Sequence, residues 1–254
     1  MSKTGSGIVL LAENVSKAFG KFVALDGVNM ALHKGERRAL IGPNGAGKST
    51  FINVVGGQLA GGRRDRILFE NHDISGQQPH KIAALGIGRT FQISRTYRQL
   101  SVFENMLAAL VVARKLTNSL SIRHLYGLKD EAREMLATVG VVHLSDHVVD
   151  DISHGDRKRL EFGMVLAGRP RLLLLDEPTA GMALQERHDL MDMVARHVDE
   201  VGMTLLFVEH DIDIVFRIAE SITVMARGRV FFEGTPEEVA ENTGVQDIYL
   251  GTAR

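Results

Sequence analysis

Short apolar runs separated by turn residues fill the first third of the chain. Residues 8–12, 28–32, 37–41 and 67–69 are alternating or apolar and read as strands. The run 51–55 continues from a glycine-rich stretch as the first turns of a helix, which the pairs Gly56-Gly57 and Gly61-Gly62 end before the next strand. A short helix over 79–85 starts with proline at its first turn, and 87–92 is strand-like and ends on the amide of Gln92. The period then changes. Over 102–116 and 129–139 apolar residues recur at helical spacing with Lys, Arg and Glu between them, which predicts a helical insertion packed as an amphipathic bundle on the sheet.

Past residue 150 the two periods alternate. A helix with Leu160, Met164 and Ala167 on one side is followed by 171–178, where four leucines read as a fully buried strand ending in two carboxylates. Residues 184–201 form a helix whose core face carries Leu190, Met191, Val194, Val198 and Val201, and 204–208 is a second buried strand. A helix over 211–219, a hairpin of 221–226 and 229–233 turning on Arg227-Gly228, and a helical tail from Pro236 complete the chain. The glycine-rich stretch before residue 51 has no second copy in the chain.

The stretch Gly42-Pro43-Asn44-Gly45-Ala46-Gly47-Lys48-Ser49-Thr50 fits Gly-x-x-x-x-Gly-Lys-Ser/Thr, and it stands between a strand and a helix as a phosphate-binding loop should. Its glycines let the backbone bend while several N–H groups converge on one anion. The helix dipole and the Lys48 ammonium add positive charge, and the Ser49 hydroxyl is placed to ligate magnesium. Asp176 and Glu177, at a strand's carboxyl end, stand where open α/β sheets bind ligands; the first is expected in the magnesium shell and the second to orient or deprotonate water. His210 follows the next buried strand, so it shares that edge if the strands run parallel. Ser153, with Gly155 behind it, reads equally as a helix N-cap and as part of a second anion site. Phe19, before Gly20, is either a core residue or an aromatic for stacking a base.

Composition sets limits on partners. With 30 Lys plus Arg against 31 Asp plus Glu the net charge is -1, which gives no general electrostatic case for nucleic acid or anionic lipid. The absence of cysteine excludes disulfides and thiolate metal sites. Residues 8–12 are too few for a signal-peptide core and the apolar run 106–113 is too short to span a bilayer, so a cytosolic protein is expected.

Taken together and in order, these residues resemble the ATP-binding cassette (ABC) ATPase family over essentially the whole chain. The resemblance implies a P-loop NTPase of α/β class, one domain over 1–254, with a RecA-like core, an antiparallel β subdomain and a helical subdomain near 98–168. It casts Phe19 as the adenine-stacking aromatic, Gly42 to Thr50 as Walker A, and Gln92 as the glutamine that reaches magnesium and senses the membrane partner. Ile152 to Asp156 becomes the signature loop, with Ser153 and Gly155 making its phosphate contacts, Asp176 and Glu177 Walker B with the catalytic glutamate, and His210 the switch histidine. ATP and Mg2+ are the implied cofactors. Implied partners are two transmembrane permease subunits, a second cassette and an external substrate-binding protein, with the chain on the cytoplasmic face of the inner membrane. Arg89-Thr90-Phe91-Gln92, Ser153-His154-Gly155-Asp156, Ala180-Gly181-Met182 and Tyr249-Leu250-Gly251 look like the subunits for uptake of branched-chain and other hydrophobic amino acids; urea or amide uptake subunits carry similar stretches. His154 and Asp156 depart from the usual Gly and Gln of the signature, and Ala183 stands where Asp or Asn is common. The rivals are a soluble ABC-type ATPase, which expects a second cassette, a coiled coil or a basic face, and a binding-only regulatory cassette. A GTPase would show Asn-Lys-x-Asp, which is missing.

Overall fold

Strand alternation divides the apolar residues of the chain between two cores. In a computed structural model, which describes residues 7–90, 96–116 and 122–250, β1 (Ile8–Phe19), β2 (Phe22–His33), β4 (Arg66–Phe69) and the two-residue β5 (His72–Asp73) form one antiparallel sheet in the order β2-β1-β4-β5. A second sheet runs β10-β9-β3-β8-β7-β6, from β3 (Arg37–Ile41), β6 (Ile87–Arg89), β7 (Leu172–Asp176), β8 (Thr204–Val208), β9 (Ser221–Ala226) and β10 (Arg229–Gly234). Its strands β6 to β9 and β3 pair in parallel; β10 closes the edge antiparallel to β9.

Successive side chains on a strand point to opposite faces, so a strand buried on both sides feeds both cores. Leu173, Leu175, Leu205 and Phe207 join one core, and Leu172, Leu174, Leu206 and Val208 join the other. The first core is completed by α3 (Val102–Ala113), α4 (Ile122–Thr138), α5 (His154–Leu166), α6 (Leu184–Val201) and α7 (Ile212–Ile218). The second is completed by α1 (Lys48–Val55), α2 (Pro79–Ala84) and the antiparallel sheet. The short helices α8 (Pro236–Glu241) and α9 (Thr243–Leu250) end the described chain, and Val239 and Val245 reach the first core.

The elements follow local chemistry closely. Arg227 and Gly228 both take positive φ, the geometry of a tight two-residue hairpin. Gly202 in the left-handed region ends α6. Two differences from the sequence expectation are clear. Strands β1 and β2 are twelve residues each, longer than the apolar runs 8–12 and 28–32, because four register shifts let them pair past polar positions such as Asn14 and Ser16. Val201, expected on the core face of α6, is exposed, since it is the last residue of the helix.

Helix α6 also carries a defect at its start. Ala183 is the N-cap residue and offers no side-chain acceptor, so only the return bond of a capping box is present, from the Ala183 N–H to Glu186 Oε2 at 3.2 Å. Replacing Ala183 by Asp adds the missing acceptor and is expected to stabilise the protein by about 1 kcal/mol, a rise in Tm of about 2–4 °C. Thermal unfolding monitored by circular dichroism checks this; an unchanged Tm would mean the preceding loop cannot bring a carboxylate to the free N–H groups.

Candidate functional site

Three loops leave the same edge of the parallel sheet. In register Asp176 lies beside Val208, and Leu40 beside Val208 on its other side, so the residues after β3, β7 and β8 emerge together.

The loop after β3 depends on two glycines. At Gly42, with φ 143°, a Cβ would lie 2.1 Å from the Met225 carbonyl oxygen; at Gly47, with φ 104°, it would lie 2.5 Å from that of Ala24. No other residue lets this backbone sit so close to β9 and β2. Gly47 is the N-cap of α1 and supplies no side-chain acceptor, which leaves the first N–H groups of the helix available to an anion. The Lys48 ammonium folds back on the loop, donating to the carbonyls of Gly42 at 2.7 Å and Pro43 at 3.1 Å. Burial holds its pKa below the ordinary lysine value, and the charges of Glu177 and Asp176 act in the opposite direction.

Ser49 Oγ donates to Asp176 Oδ1 at 2.9 Å. Asp176 is buried, and that burial raises its carboxyl pKa against the bond from Ser49 and the charge of Arg89, whose Nη2 lies 3.4 Å from Oδ2. Glu177 turns the chain out of β7 with φ 51°, a left-handed backbone that is strained for a side-chain-bearing residue and typical of functional turns. Its Oε1 lies 2.8 Å from His210 Nε2. Glu209, the residue before His210, is buried just past the end of β8. Oε1 of Glu209 accepts from Thr179 N at 3.1 Å and Thr179 Oγ1 at 2.8 Å, and Oε2 accepts from His210 N at 3.3 Å. Burial raises the Glu209 pKa while these bonds oppose the shift.

Ser49 Oγ and the Asp176 carboxylate fit a magnesium ion, being hard oxygen donors within contact of one another. Among the described residues no group of three or more His, Cys, Asp and Glu forms an all-protein cage. Phosphate oxygens and water would have to complete such a shell, which is the coordination magnesium accepts. Gln92, the other residue expected there, lies outside the described residues.

Of the remaining sequence candidates Phe19 and Ser153 are exposed and Gly155 is buried. Phe19 ends β1 and is 47% exposed, so it is no core residue, and Lys17 Nζ stands 5.4 Å from the ring centroid. Ser153 does cap α5, accepting from Asp156 N at 3.0 Å and donating to Asp156 Oδ2 at 2.7 Å. His154 Nε2 reaches the Ala180 carbonyl at 3.1 Å, and Gly155 packs closely on the Glu186 carboxylate.

A family model described as ABC transporter matches residues 25–180. The chain belongs to the ABC transporter family. Similar proteins include the probable branched-chain amino acid transport ATP-binding protein LivG of Methanocaldococcus jannaschii, 36% identical over 96% of this chain and 97% of its own. The high-affinity branched-chain amino acid transport ATP-binding protein LivG of Escherichia coli K12 is 33% identical over 96% and 98%. Among solved structures, a nucleotide-free ATP-binding cassette from an ABC transporter superposes with a TM-score of 0.82 at 32% identity, covering 96% of this chain and 99% of that one. A dimeric post-hydrolysis cassette bound to ADP and Pi gives 0.77 at 25% identity, covering 89% and 98%. This ABC cassette is therefore an ATP-binding subunit and an ATPase whose hydrolysis is coupled to transport.

Three residues of the site were not given a role by sequence. Arg89 donates to Ile52 O and Asn53 Oδ1 and contacts Gln58, tying the end of α1 to Asp176. Its signal was a charge inside a short apolar strand. Thr179 and Glu209 were overlooked beside Glu177 and His210; a carboxylate directly continuing the buried run of β8 was the clue.

Proposed function

We propose that this ABC cassette powers uptake of branched-chain or other hydrophobic amino acids through two membrane permease subunits, working as a pair of cassettes with an external substrate-binding protein. The observation that carries the catalytic part is the convergence of the Ser49–Asp176 and Glu177–His210 contacts beside one phosphate loop. The substrate class rests on the names of the relatives. Among the described residues no helix is long and apolar enough to cross a membrane. The relatives are subunits of membrane transporters, which supports attachment to the cytoplasmic face through permease partners.

In this reading the N–H groups of residues 42–50 and the Lys48 ammonium bind the phosphates, and the exposed ring of Phe19 stacks on the adenine. Ser49, Asp176 and Gln92 hold magnesium, which when bound neutralises phosphate charge. Glu177 orients a water and takes its proton, while His210 fixes the Glu177 carboxylate through Nε2 and faces the outer phosphate. Ser153 and Gly155 act on the nucleotide of the partner cassette. Ser153 already donates to Asp156, so it must exchange that bond for one to phosphate as the pair closes. Residues 98–168 act as a helical subdomain within a single domain spanning 1–254.

Light-scattering mass of the purified Glu177→Gln protein, with and without magnesium ATP, tests the paired arrangement. The expected result is a shift from monomer to dimer on adding nucleotide, because ATP bridges two cassettes and is no longer consumed. A monomer in saturating ATP overturns self-pairing and requires a different cassette as partner.

A further inference from the structure

The loop after β7 holds Glu177 in a left-handed backbone, and nothing in residue 177 itself favours that conformation. Its restraints are external. Glu177 N donates to Val208 O at 3.0 Å, Ala180 N to Glu177 O at 3.2 Å, and Met182 N to Thr179 O at 3.1 Å. Side chains add to these: His154 Nε2 reaches the Ala180 carbonyl, Arg187 Nε donates to that of Met182, and the buried one is Glu209, which occupies both Thr179 donors with one oxygen and the His210 N–H with the other. Glu209 and Thr179 are 5% and 2% exposed, so water does not compete for these bonds. A hydrophobic residue would serve equally well for filling space at the end of β8; a carboxylate with all three bonds directed at the two loops that carry Glu177 and His210 is a device for alignment.

We propose that Glu209 is a positioning residue for ATP hydrolysis: through Thr179 on one side and the His210 backbone on the other it keeps Glu177 and His210 within hydrogen-bonding distance. The proposal rests on the catalytic roles given above to Glu177 and His210. It assigns Glu209 no contact with nucleotide or water.

Two substitutions separate alignment from simple stability. Glu209→Gln keeps one oxygen, which faces the two donors of Thr179, and turns an NH2 toward the His210 N–H, so only that arm is lost. Thr179→Val is nearly isosteric and removes the hydroxyl bond alone. Each is compared with the full-length protein in steady-state ATP hydrolysis and in equilibrium binding of a fluorescent ATP analogue. The expected result for Glu209→Gln is a fall in kcat on the order of 10- to 100-fold, the effect of misplacing catalytic groups, with nucleotide affinity unchanged and the protein still folded, its Tm lowered by a few degrees by the unpaired donors. Thr179→Val should lower kcat less and in the same sense. Added to His210→Ala, the Glu209→Gln change should cost no further rate, because its effect runs through His210. Wild-type kcat in a folded Glu209→Gln protein, a parallel loss of kcat and affinity, or full multiplication with His210→Ala would each overturn the proposal. Should Glu209→Gln fail to fold, Thr179→Val decides by the same split. Glu177→Gln serves as the control: if it hydrolyses ATP normally the catalytic assignment itself fails, whereas loss of turnover there with normal turnover in Glu209→Gln removes Glu209 alone.

Discussion

Substituting Glu177 by Gln is expected to lower ATP turnover by about 10²- to 10⁴-fold, the usual contribution of a positioned base, while ATP still binds. The amide has almost the shape of the carboxylate and keeps an oxygen to meet His210 Nε2, now at 2.8 Å from Oε1. It has no basicity with which to take a proton from water. Binding survives because the groups that hold phosphate, the N–H groups at the start of α1 and the Lys48 ammonium, belong to another loop. Turnover measured by phosphate release, paired with calorimetric ATP binding, checks both halves. Near-normal turnover would remove Glu177 from its role; lost binding would mean that the substitution disturbed the strained turn at residue 177 and not the chemistry.

Lys48→Ala should act on the other half of the cycle. A charge-assisted hydrogen bond is worth about 1.5–3 kcal/mol, so ATP affinity should fall roughly 10- to 150-fold. Nucleotide-free protein should remain folded, because among the described residues Lys48 donates to two carbonyls of its own loop and its burial as a cation is itself unfavourable. Calorimetric titration with ATP is the measurement. Unchanged affinity would show that the backbone of residues 42–50 carries phosphate binding without the ammonium.

Much of this arrangement was legible before the structure because each reacting group follows a run that can only be a buried strand. The leucines of β7 and the apolar run of β8 set their own boundaries, and parallel pairing then brought Asp176, Glu177 and His210 to one edge. The capping reading of Ser153 and the helical period of α6 were equally local. What stayed hidden has partners distant in sequence. Arg89 meets Asp176 across 87 positions and Glu209 meets Thr179 across 30. No local pattern separates a charge that finds such a partner from one that faces solvent. The full length of β1 and β2 was obscured for a related reason, since polar residues at bulges read as turns until their partner strand is known.

The division of β7 and β8 between two cores bears on the order in which the protein comes apart. A helix of one core can fray while the sheet persists, because the opposite face of each strand stays packed. Separating β7 from β8, by contrast, strips apolar side chains from both faces at once, so their amides should be among the slowest to exchange with solvent. Asp176, Glu177 and Glu209 are mounted at the ends of these strands. The chemical centre thus belongs to the last unit to open, and rearrangements of the helices around it can proceed against a fixed frame.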